Sequence, residues 1–376
     1  MPYTHFRYIA YEVPTATMAL DAGGNFTGNV ISGYPPGNAS PAVATIPVPA
    51  LPNPLPDWHV RLLRLAAAVD LARQNLGAGD NANTLKVFVA PEFYFRPPAA
   101  GRADYANDTY PQADMLSIWG VLDTMFANVL FADWLIVPGT VMWNRHVPTA
   151  ADAQRRNYFN SVLYVRGGAA QTTRLIEKQL PSGIDGIPRA YAPGNDALLK
   201  PIYQDWRVRA EHIIRVDGKD YGVEVCLDHY NSNSCRVLKQ VLYEWPGRYG
   251  DLSNAQRAAL VRNPELALHI LTAGGMPLEM RSVAARVGGY ILRNDGWSVG
   301  VHSELRRVQS YTFGPFNVAP SNTWGSATLA ADPGTAVAVP IPAGPEQVPP
   351  YANDPNPAHY HTFAQRLQIY PAVALP

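Results

Sequence analysis

The chain has 376 residues, and its 30 Lys+Arg balance 30 Asp+Glu, so the formal net charge is zero. That balance offers no electrostatic footing for nucleic acid or an anionic membrane, and 47% hydrophobic against 16% charged residues excludes wholesale disorder. Two cysteines, Cys226 and Cys235, exclude a disulfide scaffold and a Cys-rich zinc site.

The N-terminus lacks the apolar run of a secretory peptide, and no stretch reaches the ~20 apolar residues of a membrane span. A cytoplasmic protein is expected. Proline concentrates in an insert near 33–56 and in a C-terminal arm near 340–376, both expected as surface loops because proline lacks the amide that helix interiors and central strands need. The remaining pieces interleave too closely to be cut, so one domain over 1–376 is expected.

In chain order, Tyr8–Val13 reads as a strand. Asp57–Leu76 reads as a helix, with Leu62, Leu65, Val69, Ala72 and Leu76 at helical spacing. Leu85–Ala90 is a short strand and Pro111–Phe131 a second helix. Trp134–Val141 and Tyr158–Val165 are strands. His212–Val216 and Tyr221–Cys226 form a predicted hairpin across Asp217-Gly218. Leu266–Thr272 and Gly289–Leu292 are strands, with a helix expected over Glu279–Val287. Strands alternating with helices predict an α/β layered sandwich.

The usual fingerprints of nucleotide binding, zinc proteolysis and serine esterases are absent from the sequence. His359 and His361 make an H-x-H pair without a recognisable third ligand, so no metal is expected.

Three polar residues end apolar strands. Glu92 follows Val87-Phe88-Val89-Ala90-Pro91 and precedes Phe93-Tyr94-Phe95; burial there should raise its pKa toward that of a general base. Its bland alternative is a structural ion pair. Lys178 ends Leu175-Ile176-Glu177 and is one of only five lysines, the others being Lys86, Lys200, Lys219 and Lys239; its bland alternative is a solvated side chain. Cys226 follows Val223-Glu224-Val225 and precedes a predicted turn, where a thiol can meet backbone amides; its bland alternative is an inert buried thiol. Cys235, beside an apolar helical run, reads as structural. A thiol, a carboxylate and a lysine together suit nucleophilic attack on an electrophilic carbon without metal or organic cofactor.

This ordered set resembles the nitrilase, or carbon–nitrogen hydrolase, superfamily. The motifs that carry it are Ala90-Pro91-Glu92, Val137-Pro138-Gly139-Thr140, Glu177-Lys178-Gln179-Leu180-Pro181, Tyr191-Ala192-Pro193-Gly194-Asn195 and Gly222-x-x-x-Cys226-x-Asp228. The resemblance implies a four-layer α-β-β-α sandwich, hydrolysis of a non-peptide C–N bond, and a homodimer or larger assembly. Carried over, Cys226 is the nucleophile, Glu92 the base and Lys178 the oxyanion stabiliser, with the Leu227 N–H as a second donor. The small-molecule substrate is an amide or a nitrile, with a protein side-chain amide also open and Cys226-Leu227-Asp228 favouring an amide. A catalytically silent binding protein is the alternative from another class. Departures from the family pattern are Asp185, where many members carry a second glutamate, and His229-Tyr230-Asn231 after the cysteine. His229, Phe93, Tyr94 and Phe95 are expected to shape the pocket.

Overall fold

The computed structural model describes residues 3–20, 26–31, 46, 56–77, 80–97, 109–148, 150, 153, 156–168, 172–180, 211–230, 237–239, 266–297, 302–312, 325–331, 333–341, 346–348, 361–363 and 365–376. The region around Asp185, the Tyr191–Asn195 motif, Cys235 and His359 lie outside the described residues.

A ten-stranded sheet is built mainly from β1 (His5–Glu12), β2 (Thr84–Val89), β3 (Trp134–Val137), β4 (Thr140–His146), β5 (Arg156–Arg166) and β6 (Thr172–Glu177). A six-stranded sheet holds β7 (Ile213–Val216), β8 (Lys219–Val225), β9 (Leu266–Ala273), β10 (Ala285–Asp295), β11 (Ser303–Thr312) and β12 (Ser326–Leu329), in that order. β1, β2 and β3 run parallel, as do β8, β9 and β10. Two further strands, β13 (Val337–Pro340) and β14 (Arg366–Ile369), close the first sheet beside β1.

Two-residue periodicity sorts the core into layers. On β2, Leu85, Val87 and Val89 join Val223, Leu268 and Leu292 of the second sheet in one buried cluster, so the two sheets pack face to face. Phe88 and Ala90 join the other cluster, under helices α1 (Asp57–Gln74) and α2 (Gln112–Met125). The described residues thus give helix, sheet and sheet in three successive layers.

Both helices start just after a proline, Pro56 and Pro111, whose fixed extended backbone ends the preceding segment. α1 buries Arg61, which pairs with Asp57 one turn earlier at 2.7 Å and donates to the Tyr94 carbonyl at 2.7 Å. The Asp217-Gly218 turn has φ of 48° and 78°, as the hairpin of β7 and β8 requires.

Four expectations need correction. Trp134–Val141 is two strands, split at Pro138-Gly139, where Gly139 has φ 84° and a side chain would strike the Pro91 carbonyl. The second helix stops at Met125, and a separate 3-10 turn spans Val129–Phe131. Glu279–Val287 is not a helix: turns lead into β10 at Ala285, which pairs with Leu266 of β9. The C-terminal arm also re-enters the fold, because β14 alternates Leu367 and Ile369 into the helix-side core and pairs with β1.

Candidate active site

Glu92, Lys178 and Cys226 each follow the C-terminal end of a strand: β2, β6 and β8. All three are buried. Lys178 Nζ donates to Glu92 Oε1 at 2.9 Å, with the two side chains 1% and 0% exposed. Asn160 on β5 serves both partners. Its Nδ2 donates to the same Glu92 oxygen at 2.8 Å, and its carbonyl accepts the Lys178 N–H at 2.9 Å.

The backbone at Glu92 is fixed from several sides. Its N–H donates to Ala273 O at the end of β9, and its carbonyl accepts from Thr15 Oγ1 at 2.6 Å. Oε2 lies against Gly274, where an added Cβ would sit 3.2 Å from that oxygen and 2.8 Å from the Phe93 ring.

Cys226 is joined to this pair through Asp228. The Asp228 carboxylate accepts N–H bonds from Gln179 at 3.0 Å and Leu180 at 2.9 Å, the two residues after Lys178. Burial pushes the Asp228 carboxyl well above the usual carboxylate range, while the Lys178 charge and these N–H bonds pull the other way. The 3-10 turn Cys226–His229 therefore docks on the segment that carries Lys178.

Among the described residues, three non-glycine positions have positive φ: Asp217 in its hairpin, Phe93 at 63° and Cys226 at 46°. The last two stand beside or at the candidate centre. Left-handed backbone in bulky residues is costly and persists only where surroundings enforce it.

Of the expected pocket residues, Phe93 packs on Gly274, and its N–H donates to Thr140 Oγ1 at 2.8 Å. Tyr94 points the other way, into the helix-side core, and its hydroxyl donates to Arg61 O at 2.8 Å. Phe95 follows it there. Leu227 is partly buried against the intersheet core. His229 turns toward Glu224, two residues before the cysteine.

That turn reveals a buried cluster whose other two members, Glu224 and His269, were not among the expected site residues. His229 Nδ1 lies 2.7 Å from Glu224 Oε2, and His269 Nε2 of β9 lies 2.9 Å from the same oxygen. Glu224 Oε1 accepts the Leu238 N–H at 2.8 Å. The outer ring nitrogens are occupied too. His229 Nε2 accepts the Glu279 N–H and His269 Nδ1 accepts the Ala284 N–H, each at 3.1 Å. A nitrogen that accepts an N–H carries no proton, so in each neutral ring the proton faces Glu224. Burial raises the Glu224 carboxyl, but the His269 and His229 rings outweigh it and hold the group down at about 2. Burial lowers His229, against the pull of Glu224.

The ligand atoms of Glu224, His229 and His269 lie within 4.8 Å of one another, a spacing that could hold a metal ion. The protonation pattern does not fit one. A cation needs lone pairs on the two inward nitrogens, which carry the protons here.

The other described lysines hold structure. Lys86 pairs with Asp80 and Asp133, Lys219 caps the carbonyls of Leu375 and Pro376, and Lys239 donates to Gly325 O at 2.7 Å. A cavity of about 480 Å³, lined by Tyr164, Arg166, Arg174, Arg215 and Asp217, lies at the opposite strand ends from Lys178 and Cys226. Its guanidinium groups are largely committed: Arg166 to the Trp134 carbonyl and Arg215 to Asp220. Among the described residues, no helix is long and apolar enough to cross a membrane.

No family model matches the chain, and no curated protein sequence matches it. Among solved structures it is similar to a cysteine-to-alanine mutant of the amidase from Nesterenkonia sp. AN1 in complex with butyramide, at 11% identity and TM-score 0.35, over 98% of this chain and 90% of that one. A glutamate-to-leucine mutant of the same amidase, showing covalent addition of the acetamide moiety of fluoroacetamide at the active site cysteine, matches at 10% identity and TM-score 0.36, over 99% and 91%.

Proposed function

We propose that the chain is a carbon–nitrogen hydrolase that cleaves a small amide through Cys226. The observation that carries this reading is the fully buried Lys178–Glu92 pair, tied through Asp228 to the turn that begins at Cys226. A lysine and a carboxylate removed from water cost stability, and catalysis gives that pair a purpose.

In this mechanism Glu92 takes the thiol proton and the Cys226 sulfur bonds to the amide carbonyl carbon. The carbonyl electrons move onto oxygen, where Lys178 and the Leu227 N–H hold the oxyanion. Collapse breaks the C–N bond, and the leaving nitrogen takes the proton from Glu92 to depart as ammonia. Water then attacks the thioester, Glu92 accepts its proton, and the acid leaves as the thiol re-forms. Asp185 completes the site in this reading. In the same reading the chain is a single domain with the four-layer sandwich and pairs with a second copy; what supports the fourth layer is the helical Leu238 packed on Leu266 of the second sheet and on Ala284. The substrate is small and soluble and is met in the cytoplasm.

The same groups serve a nitrile, so a matched amide and nitrile distinguish the two substrates. Replacing Cys226 with alanine tests the whole reading. Turnover of the best amide should fall by about 10⁴-fold or more with melting unchanged. Full turnover in that variant overturns the reading and leaves a binding protein as the alternative.

A further inference from the structure

We propose that Glu224, His229 and His269 are positioning residues that clamp the Cys226 turn in its left-handed conformation. The assignment rests on Cys226 being the nucleophile.

The cysteine lies between two anchored carboxylates. Glu224, two residues before it, is fixed by His229, His269 and the Leu238 N–H. Asp228, two residues after it, is fixed by the N–H groups of Gln179 and Leu180. His229, the last residue of the turn, reaches back to Glu224 and also receives the Glu279 N–H. Three segments thus meet the carboxylate that β8 carries, namely the turn, β9 and the helical residues at Leu238, and the approach to β10 braces the two imidazoles from behind. Lys239, the other charge facing His229, is spent on the carbonyls of Arg281 and Gly325.

Apolar side chains of the same volume would fill this space at a lower desolvation cost. They would not fix direction. Hydrogen bonds to both carboxylate oxygens set the turn's orientation as well as its distance, and a nucleophile with φ 46° needs both. Gly222 admits this packing, because a side chain there would sit 2.5 Å from the Leu238 side chain that the clamp brings in.

Glu224→Gln keeps the shape but offers one acceptor oxygen where the carboxylate serves the His229 ring and the Leu238 N–H on separate oxygens, with His269 Nε2 2.9 Å away. The readout is the rate at which iodoacetamide, itself a small amide, alkylates Cys226, mapped by mass with Cys235 as internal reference. In a variant that melts cooperatively well above the assay temperature, the rate should fall about tenfold, and kcat for an amide by roughly 10²-fold with little change in KM. A wild-type alkylation rate overturns the proposal. If Glu224→Gln does not fold, His229→Asn and His229→Ala decide. Asparagine keeps a donor toward Glu224 and should alkylate within about threefold of wild type, whereas alanine should show the full loss. Equal rates for the two overturn the clamp. Alkylation needs no turnover, so the two ideas fail separately. A wild type that hydrolyses no amide, with Cys226 slowed in Glu224→Gln, removes the amidase reading and keeps the clamp. An active amidase indifferent to Glu224→Gln does the reverse.

Discussion

Glu92 and Glu224 are both fully buried carboxylates near strand ends, yet they are built differently. Glu224 receives imidazole and backbone donors on both oxygens, and its partners come from elements that cannot move independently. Glu92 receives the Lys178 ammonium and the Asn160 amide on one oxygen, and its other oxygen lies against Gly274. Rigid donors suit a carboxylate that stays charged and holds shape. A lysine on a flexible stem suits one that exchanges a proton while its partner shifts to a new charge.

The largest effect is expected from Glu92→Gln, which leaves the buried Lys178 ammonium without its counter-charge. Stability should drop by about 3–5 kcal/mol in urea unfolding, and turnover by about 10²–10⁴-fold. Retained turnover would make Glu92 as structural as Glu224 and erase the contrast.

Acid should expose Glu224 next. Its folded pKa of about 2 lies below the ordinary value of 4.5, so its contribution is complete above about pH 4.5 and is lost as pH falls toward 2. That contribution is on the order of 3 kcal/mol. His229, also lowered, adds loss in the same direction, beginning as pH falls below 6.5. Asp228 works oppositely: its raised pKa means the folded chain binds that proton more tightly, so its cost is relieved as pH falls. Denaturation midpoints from pH 7 to 3 should therefore decline in the wild type and decline less steeply in Glu224→Gln. Parallel curves would show that Glu224 is not held charged.

Asn160→Ala removes one donor from Glu92 and should cost about 1.5–3 kcal/mol by denaturant titration. The smallest effect belongs to a surface pair. Arg215 is 67% exposed where it meets Asp220, and Arg215→Ala should change stability by less than about 1 kcal/mol. A larger loss there would mean that burial is not what separates these carboxylates.

Much of this was legible in the residue order. Apolar runs placed the strand ends at which Glu92, Lys178 and Cys226 stand, and Asp217-Gly218 specified its own turn. Glu279–Val287 misled because Met280, Val283, Ala284 and Val287 recur at helical spacing, whereas the pairing of Ala285 with Leu266 makes the stretch the entry to a strand. Asn160 sits beside Ser161 in an otherwise apolar and aromatic strand, Tyr158–Val165, and an amide in such a run was the available signal. Glu224 gave less, because it reads as one member of an alternating strand.

The amino-acid sequence by itself determined the local facts: where strands stop, which residues stand at their ends, and which turns glycine and proline allow. Those depend on neighbours a few positions apart. Tertiary structure decided which charges meet and where their protons lie. Lys178 reaches Glu92 across 86 positions, and His269 reaches Glu224 across 45, through the pairing of β8 with β9. The tautomer of each imidazole then follows from one backbone N–H on its far side, contributed by a loop that only the assembled sheets bring there.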